Sequence, residues 1–142
     1  MRRTELGLLA GIVVALAVAG AAAAWTVARG ATPTTELTVN IRYSHFEPSQ
    51  LSVPVGVPLT VVLRNEDPID HEWILGDAAV HKRHRTGTEP VHGARPTEVT
   101  IPAGETRRTT IVVDAAGTLT YDCHLPGHEA YGMVGVVEVG PA

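Results

Sequence analysis

A chain of 142 residues has room for one domain of ordinary size and a short extra segment. Its 11 Lys/Arg stand against 15 Asp/Glu, a formal net charge of −4, and that acidic balance argues against nucleic acid as a partner. With a single cysteine, no disulfide can form within the chain.

In chain order, "MRRTE" leads into an uncharged apolar run over residues 6–28. A run of that length can cross a hydrocarbon core of about 30 Å as a helix. Arg2 and Arg3 ahead of it predict a cytoplasmic N-terminus, with everything after Arg29 outside. The competing reading is a cleaved signal peptide, with residues 6–19 as its apolar region and Ala22 and Ala24 as an A-x-A site. The unbroken apolar length and Trp25, an interface residue type, favour the anchor. Residues 1–28 are therefore assigned as a membrane anchor or signal peptide. The rest is expected to be extracytoplasmic, either displayed on the membrane by a single span or released as a secreted or periplasmic protein.

Residues 29–35 read as a small, polar linker, and residues 36–140 as the folded domain. Removing Arg2, Arg3, Arg29 and Glu5 from the count leaves eight basic against fourteen acidic residues in the exported part, a net of −6. In that part the dominant period is two. Leu37, Val39, Ile41 and Tyr43 alternate with polar residues, as do Leu59, Val61 and Leu63. Thr109, Ile111 and Val113 follow the turn "IPAGET", Leu119 and Tyr121 follow "DAAGT", and "VGVVEV" closes the domain. Seven or eight short strands separated by such turns predict an all-β fold, an antiparallel Greek-key β-sandwich. No helical period of useful length appears after Arg29. Residues 76–97 read as one long irregular loop, and "HKRHR" within it as a solvated stretch.

The chemistry gathers near the C-terminus. Cys123, His128 and Met133 follow the pattern C-x4-H-x4-M on a loop between two strands, with Pro126, Gly127 and Gly132 to bend it. Thiolate, imidazole and thioether form a soft donor set that selects copper, and a His2Cys site with a weak axial Met is the blue-copper arrangement. One more histidine is needed. His71 is the best candidate, because it stands where the turn "NEDPID" gives way to an apolar strand start. Zinc is disfavoured by the methionine, and a single cysteine excludes a centre with two bridging cysteines. His124, next to Cys123, should point away from the metal, since strand neighbours face opposite sides. His45, His81, His84 and His92 read as solvated, with an adventitious second metal site in the 76–97 loop as the alternative.

The stretches "FEPSQLSVPVGVPLTVVLRNED", "DHEW" and "YDCHLPGHEAYGMVGVVEV" together resemble the cupredoxin family over residues 36–139. They are most similar to the small membrane-anchored cupredoxin-like proteins of bacteria, whose mid-domain loop is also histidine-rich. The resemblance implies one type 1 copper ion held by His71, Cys123, His128 and an axial Met133. It also implies that Asn65 braces the cysteine loop. The function expected is single-electron transfer between redox partner proteins that dock transiently on a monomer, with no catalysis of its own. Glu66, Asp67, Asp70, Glu72, Asp122 and Glu129 near the expected site hint at a basic partner. The alternative is a protein that captures or delivers copper outside the cytoplasm.

Overall fold

The computed structural model describes residues 35–87 and 95–141. The N-terminal anchor or signal peptide falls outside the described residues. Among the described residues, no helix is long and apolar enough to cross a membrane.

Alternation sets the inner face of the first sheet. In β1 (Thr35–Arg42) Val39 and Ile41 are buried, and in β4 (Leu59–Asn65) so are Leu59, Val61 and Leu63. β2 (His45–Glu47) and β7 (Thr106–Ile111) complete this sheet in the order β2-β1-β4-β7. The second sheet runs β3-β9-β8-β5-β6, built from β3 (Gln50–Pro54), β5 (His71–Gly76), β6 (Glu98–Ile101), β8 (Gly117–Asp122) and β9 (Val134–Gly140). Trp73, Leu75, Ile101, Tyr121 and Val137 from this sheet join Val39, Ile41, Val61 and Leu63 in one core. The result is a two-sheet sandwich of nine strands among the described residues.

Two features depart from the expectation. The sandwich is mixed rather than antiparallel, because β1 pairs with β4 and β3 with β9 in parallel. Strand direction depends on partners distant in the chain, and a local period of two carries no information about it. The second departure is α1 (Ala78–Arg85), a helix inside the segment expected to be irregular. Asp77 caps it by accepting from the Ala79 and Val80 N–H groups, each at 2.9 Å. The apolar period that normally betrays a helix is absent, because the buried residues of α1 are His81 and His84. They are not solvated, contrary to the sequence expectation.

Two local contacts fix the helix and the first turn of the sandwich. α1 packs close against the end of β5 because residue 76 is glycine: a Cβ there would lie 2.5–2.7 Å from the Val80 side chain. The β1–β2 turn holds Tyr43 and Ser44 at φ of 52° and 56°, a region that non-glycine residues enter at some cost. Their N–H groups donate to the two Asp67 carboxylate oxygens at 2.7 and 2.8 Å, which fixes the turn.

Candidate metal centre

Cys123 follows the last residue of β8, and the chain returns to β9 after Met133. The intervening loop is drawn tight by its own backbone. The Cys123 N–H donates to Met133 O at 3.1 Å, Met133 N–H to His128 O at 3.1 Å, and His128 N–H to Leu125 O at 3.0 Å. Gly127 and Gly132 take φ values of 87° and 91°, which let the loop fold back on itself.

His71 opens β5 and meets this loop. Its Nδ1 lies 3.2 Å from His128 Nδ1, and Cys123 Sγ lies 3.2 Å from the same His128 atom. All three donor atoms fall within 4.8 Å of one another. His71 and Cys123 have no exposed surface, while His128 is half-buried. Met133 is also fully buried, and its backbone is tied to both Cys123 and His128. The structure thus gathers the side chains of His71, Cys123 and His128, and places Met133 in the core at the end of their loop.

The surroundings orient these groups. His71 Nε2 lies 2.9 Å from Asp67 Oδ2, the carboxylate that also fixes the Tyr43–Ser44 turn. A ring donating its Nε2–H there turns the Nδ1 lone pair toward Cys123 and His128. Burial pushes the Asp67 carboxyl up, but the Ser44 and Tyr43 N–H groups and His71 together hold it below its ordinary value. Burial pushes His71 down, which favours the neutral ring, the form that binds metals. The Cys123 thiol is pushed up by burial, opposed by the N–H groups of Glu72 and Leu125. The Glu72 N–H points at Sγ from 3.3 Å. A buried sulfur that already receives an N–H, beside two imidazoles, suits a thiolate stabilised by a soft cation. The donor set present therefore fits copper.

Other expected roles change. Asn65 does not brace the cysteine loop. Its Nδ2 donates to Ile69 O, Ile101 O and Pro102 O at 2.8–3.0 Å, and its Oδ1 accepts from the Asp67 N–H at 3.0 Å. It shapes the turn before His71 instead. The acidic residues are largely committed to internal bonds. Asp67, Glu72 and Asp122 are buried, Glu66 pairs with Arg42 at 2.5 Å, and Glu129 pairs with Arg85 at 2.5 Å. Asp70 accepts from the Ala103 N–H at 2.9 Å. Less free charge remains to steer a partner than the sequence count implied.

His124 does not join the three donors. Its ring meets His81 of α1 at 2.9 Å and stacks on His84 with centroids 5.5 Å apart. Burial pushes its imidazole down to about 4, against the pull of Glu129, and burial pushes the neighbouring Asp122 carboxyl up.

Known proteins share this sequence pattern and this fold. A family model described as a cupredoxin-like domain matches residues 9–136. The copper-resistant cuproprotein CopI of Pseudomonas aeruginosa is 29% identical over 129 residues, covering 68% of this chain and 71% of that protein. CopI of Rubrivivax gelatinosus is 31% identical over 97 residues, covering 66% of this chain, which spans 59% of its length. Among solved structures, auracyanin B superposes with a TM-score of 0.66 at 25% identity, covering 78% of this chain and 92% of that one.

Proposed function

Because this chain belongs to the cupredoxin-like domain family, we propose that it binds one type 1 copper ion and carries single electrons between redox partners outside the cytoplasm. His71, Cys123 and His128 would hold the ion, with Met133, at the end of their loop, as a weaker fourth donor. The observation that carries it is the convergence of one thiol and two imidazoles within 4.8 Å. Such a donor set, when it holds copper, would supply a one-electron Cu(I)/Cu(II) couple. The protein's part is to keep the site stiff and mostly dry. Asp67 orients one imidazole, the Glu72 N–H tempers the sulfur, and the hydrogen-bonded loop holds the other imidazole in place.

His128 is the only one of the three donors that solvent reaches, and the exposed Tyr131 and Pro126 flank it in the chain. This half-buried ring beside apolar surface is the port of the proposal, and a small apolar rim suits a transient redox encounter. A second reading, copper capture or delivery, draws support from the two relatives, each named a copper-resistant cuproprotein.

The test is a visible spectrum and a redox titration of the full-length protein loaded with Cu(II). Electron transfer predicts an intense thiolate-to-copper band and a reversible one-electron couple. A colourless protein that binds only exchangeable Cu(I) would replace this reading with copper handling.

A further inference from the structure

Cys123 is flanked by two residues that the copper reading leaves unused, and both turn to the same cluster. We propose that His81, Asp122 and His124 form a second metal site, for a borderline divalent ion such as Cu(II) or Zn(II). It is separate from the donors of His71, Cys123 and His128 and does not rest on their reading.

Three elements build it. His81 comes from α1, Asp122 ends β8, and His124 opens the ligand loop. His81 Nδ1 lies 2.9 Å from His124 Nε2 and 3.2 Å from Asp122 Oδ2, and the three donor atoms fall within 4.8 Å of one another. Ligand atoms around a tetrahedral ion with bonds of about 2.0–2.1 Å stand roughly 3.3 Å apart. The two spacings from His81 are therefore near those of a loaded site. The side chains of His81, Asp122 and His124 are 1%, 6% and 4% exposed, so this is no surface cluster.

The acceptors around the two rings point the same way. His81 Nε2 lies 3.2 Å from both Gly76 O and Thr120 O, which can only accept. Its hydrogen belongs on Nε2, and the Nδ1 lone pair faces the cluster. His124 Nδ1 lies 3.2 Å from Glu129 Oε2, so a hydrogen there leaves the Nε2 lone pair facing inward as well. Glu129 is itself clamped by Arg85, with Nε and Nη2 at 2.5–2.9 Å from its oxygens. With both rings donating outward, two lone pairs would face the Asp122 oxygen, which Arg85 Nη2 also approaches to 3.6 Å. Outward donation to carbonyls and carboxylates is the support that metal-binding histidines ordinarily receive.

The donor set names the ion class. Two imidazoles and a carboxylate without sulfur suit borderline divalent ions, whereas Cu(I) prefers sulfur and Mg(II) or Ca(II) prefer all-oxygen cages. Within the divalent series Cu(II) binds most tightly, and Zn(II) is the redox-silent probe. Three protein ligands leave a coordination position open.

The test uses the full-length chain carrying Cys123→Ser and His128→Ala, which leaves the first cluster with one of its three donors. Zn(II) titration by calorimetry is expected to show one ion bound per chain. Adding His81→Gln or Asp122→Asn is expected to weaken that binding at least tenfold, with far-ultraviolet circular dichroism unchanged. Failure to bind Zn(II), or binding that survives in either folded variant, would overturn the site. That result would leave the His81–His124 contact as a hydrogen bond of the other tautomer and would not touch the copper reading, which rests on other residues.

Discussion

Asp122, Cys123 and His124 are consecutive, yet their side chains serve two different clusters. Cys123 meets His71 and His128, while its two neighbours meet His81. Alternation at the end of β8 prepares that division, since adjacent side chains leave an extended backbone on opposite faces, and α1 supplies His81 to the second cluster. The clusters then diverge in chemistry and in support. One contains sulfur, sits on a hydrogen-bonded loop and is oriented from behind by Asp67. The other contains only nitrogen and oxygen, and draws its key ring from a helix packed on β5. A single strand end can thus present two donor sets of different softness, and each should fail without the other when its own support is removed.

The largest effect comes from the sulfur. Cys123→Ser should abolish the thiolate-to-copper band of the Cu(II)-loaded protein, while His124→Ala should leave that band nearly intact. Loss of colour in His124→Ala would show that the two clusters act as one. Next is Asp67→Asn. An amide has one acceptor oxygen for three donors, the N–H groups of Tyr43 and Ser44 and the His71 ring. Copper affinity should fall about 10–100-fold, with Zn(II) binding at the second cluster unchanged. The pH dependence has a definite sign. The Asp67 carboxyl titrates below its ordinary value of 3.8, so its contribution to stability is complete above that pH. It is lost as pH falls through the depressed value. Melting temperatures of wild type and Asp67→Asn should therefore differ by a constant amount from neutral pH down to about pH 4, then converge in stronger acid.

A smaller and opposite break is Gly76→Ala. The new methyl would sit 2.5–2.7 Å from the Val80 side chain, so α1 must shift and carry His81 with it. Overpacking of this kind costs about 1–3 kcal/mol. Zn(II) binding should weaken and the copper band should persist. A spectrum that changes as much as the zinc affinity would show that the helix supports both clusters.

The same contrast explains which residues could be read from the sequence. The loop donors are legible because Cys123, His128 and Met133 recur at a fixed spacing within one loop, and His71 because a turn-to-strand transition is a local signal. The strands are legible from their period, although the parallel pairings of β1 with β4 and β3 with β9 are not. His81 is unreadable for a different reason. Its helix lacks an apolar stripe, its partners lie some forty residues away, and only the packing of α1 on β5 brings them together. Asn65 stands out in the sequence but its role does not, because a side chain that makes four hydrogen bonds to backbone gives no hint of which backbone. The acidic residues mislead in a similar way, since counting charges does not show which of them are already paired.

The mildest effect is expected of Asp77→Ala. Asp77 satisfies the Ala79 and Val80 N–H groups at the start of α1, and the Val80 N–H in particular holds its carboxyl below the ordinary value. The cap is fully exposed, so removing it should lower the melting temperature by no more than a few degrees. Fraying begins at the first turn, one turn ahead of His81, so Zn(II) should bind somewhat more weakly than in the parent and more tightly than in Gly76→Ala. The ligand loop gains nothing from this cap, and the copper band should keep its position and intensity. A shift of the band in Asp77→Ala would mean that α1 steadies β5 as far as His71, and the two clusters would then share a support that their hydrogen bonds do not reveal.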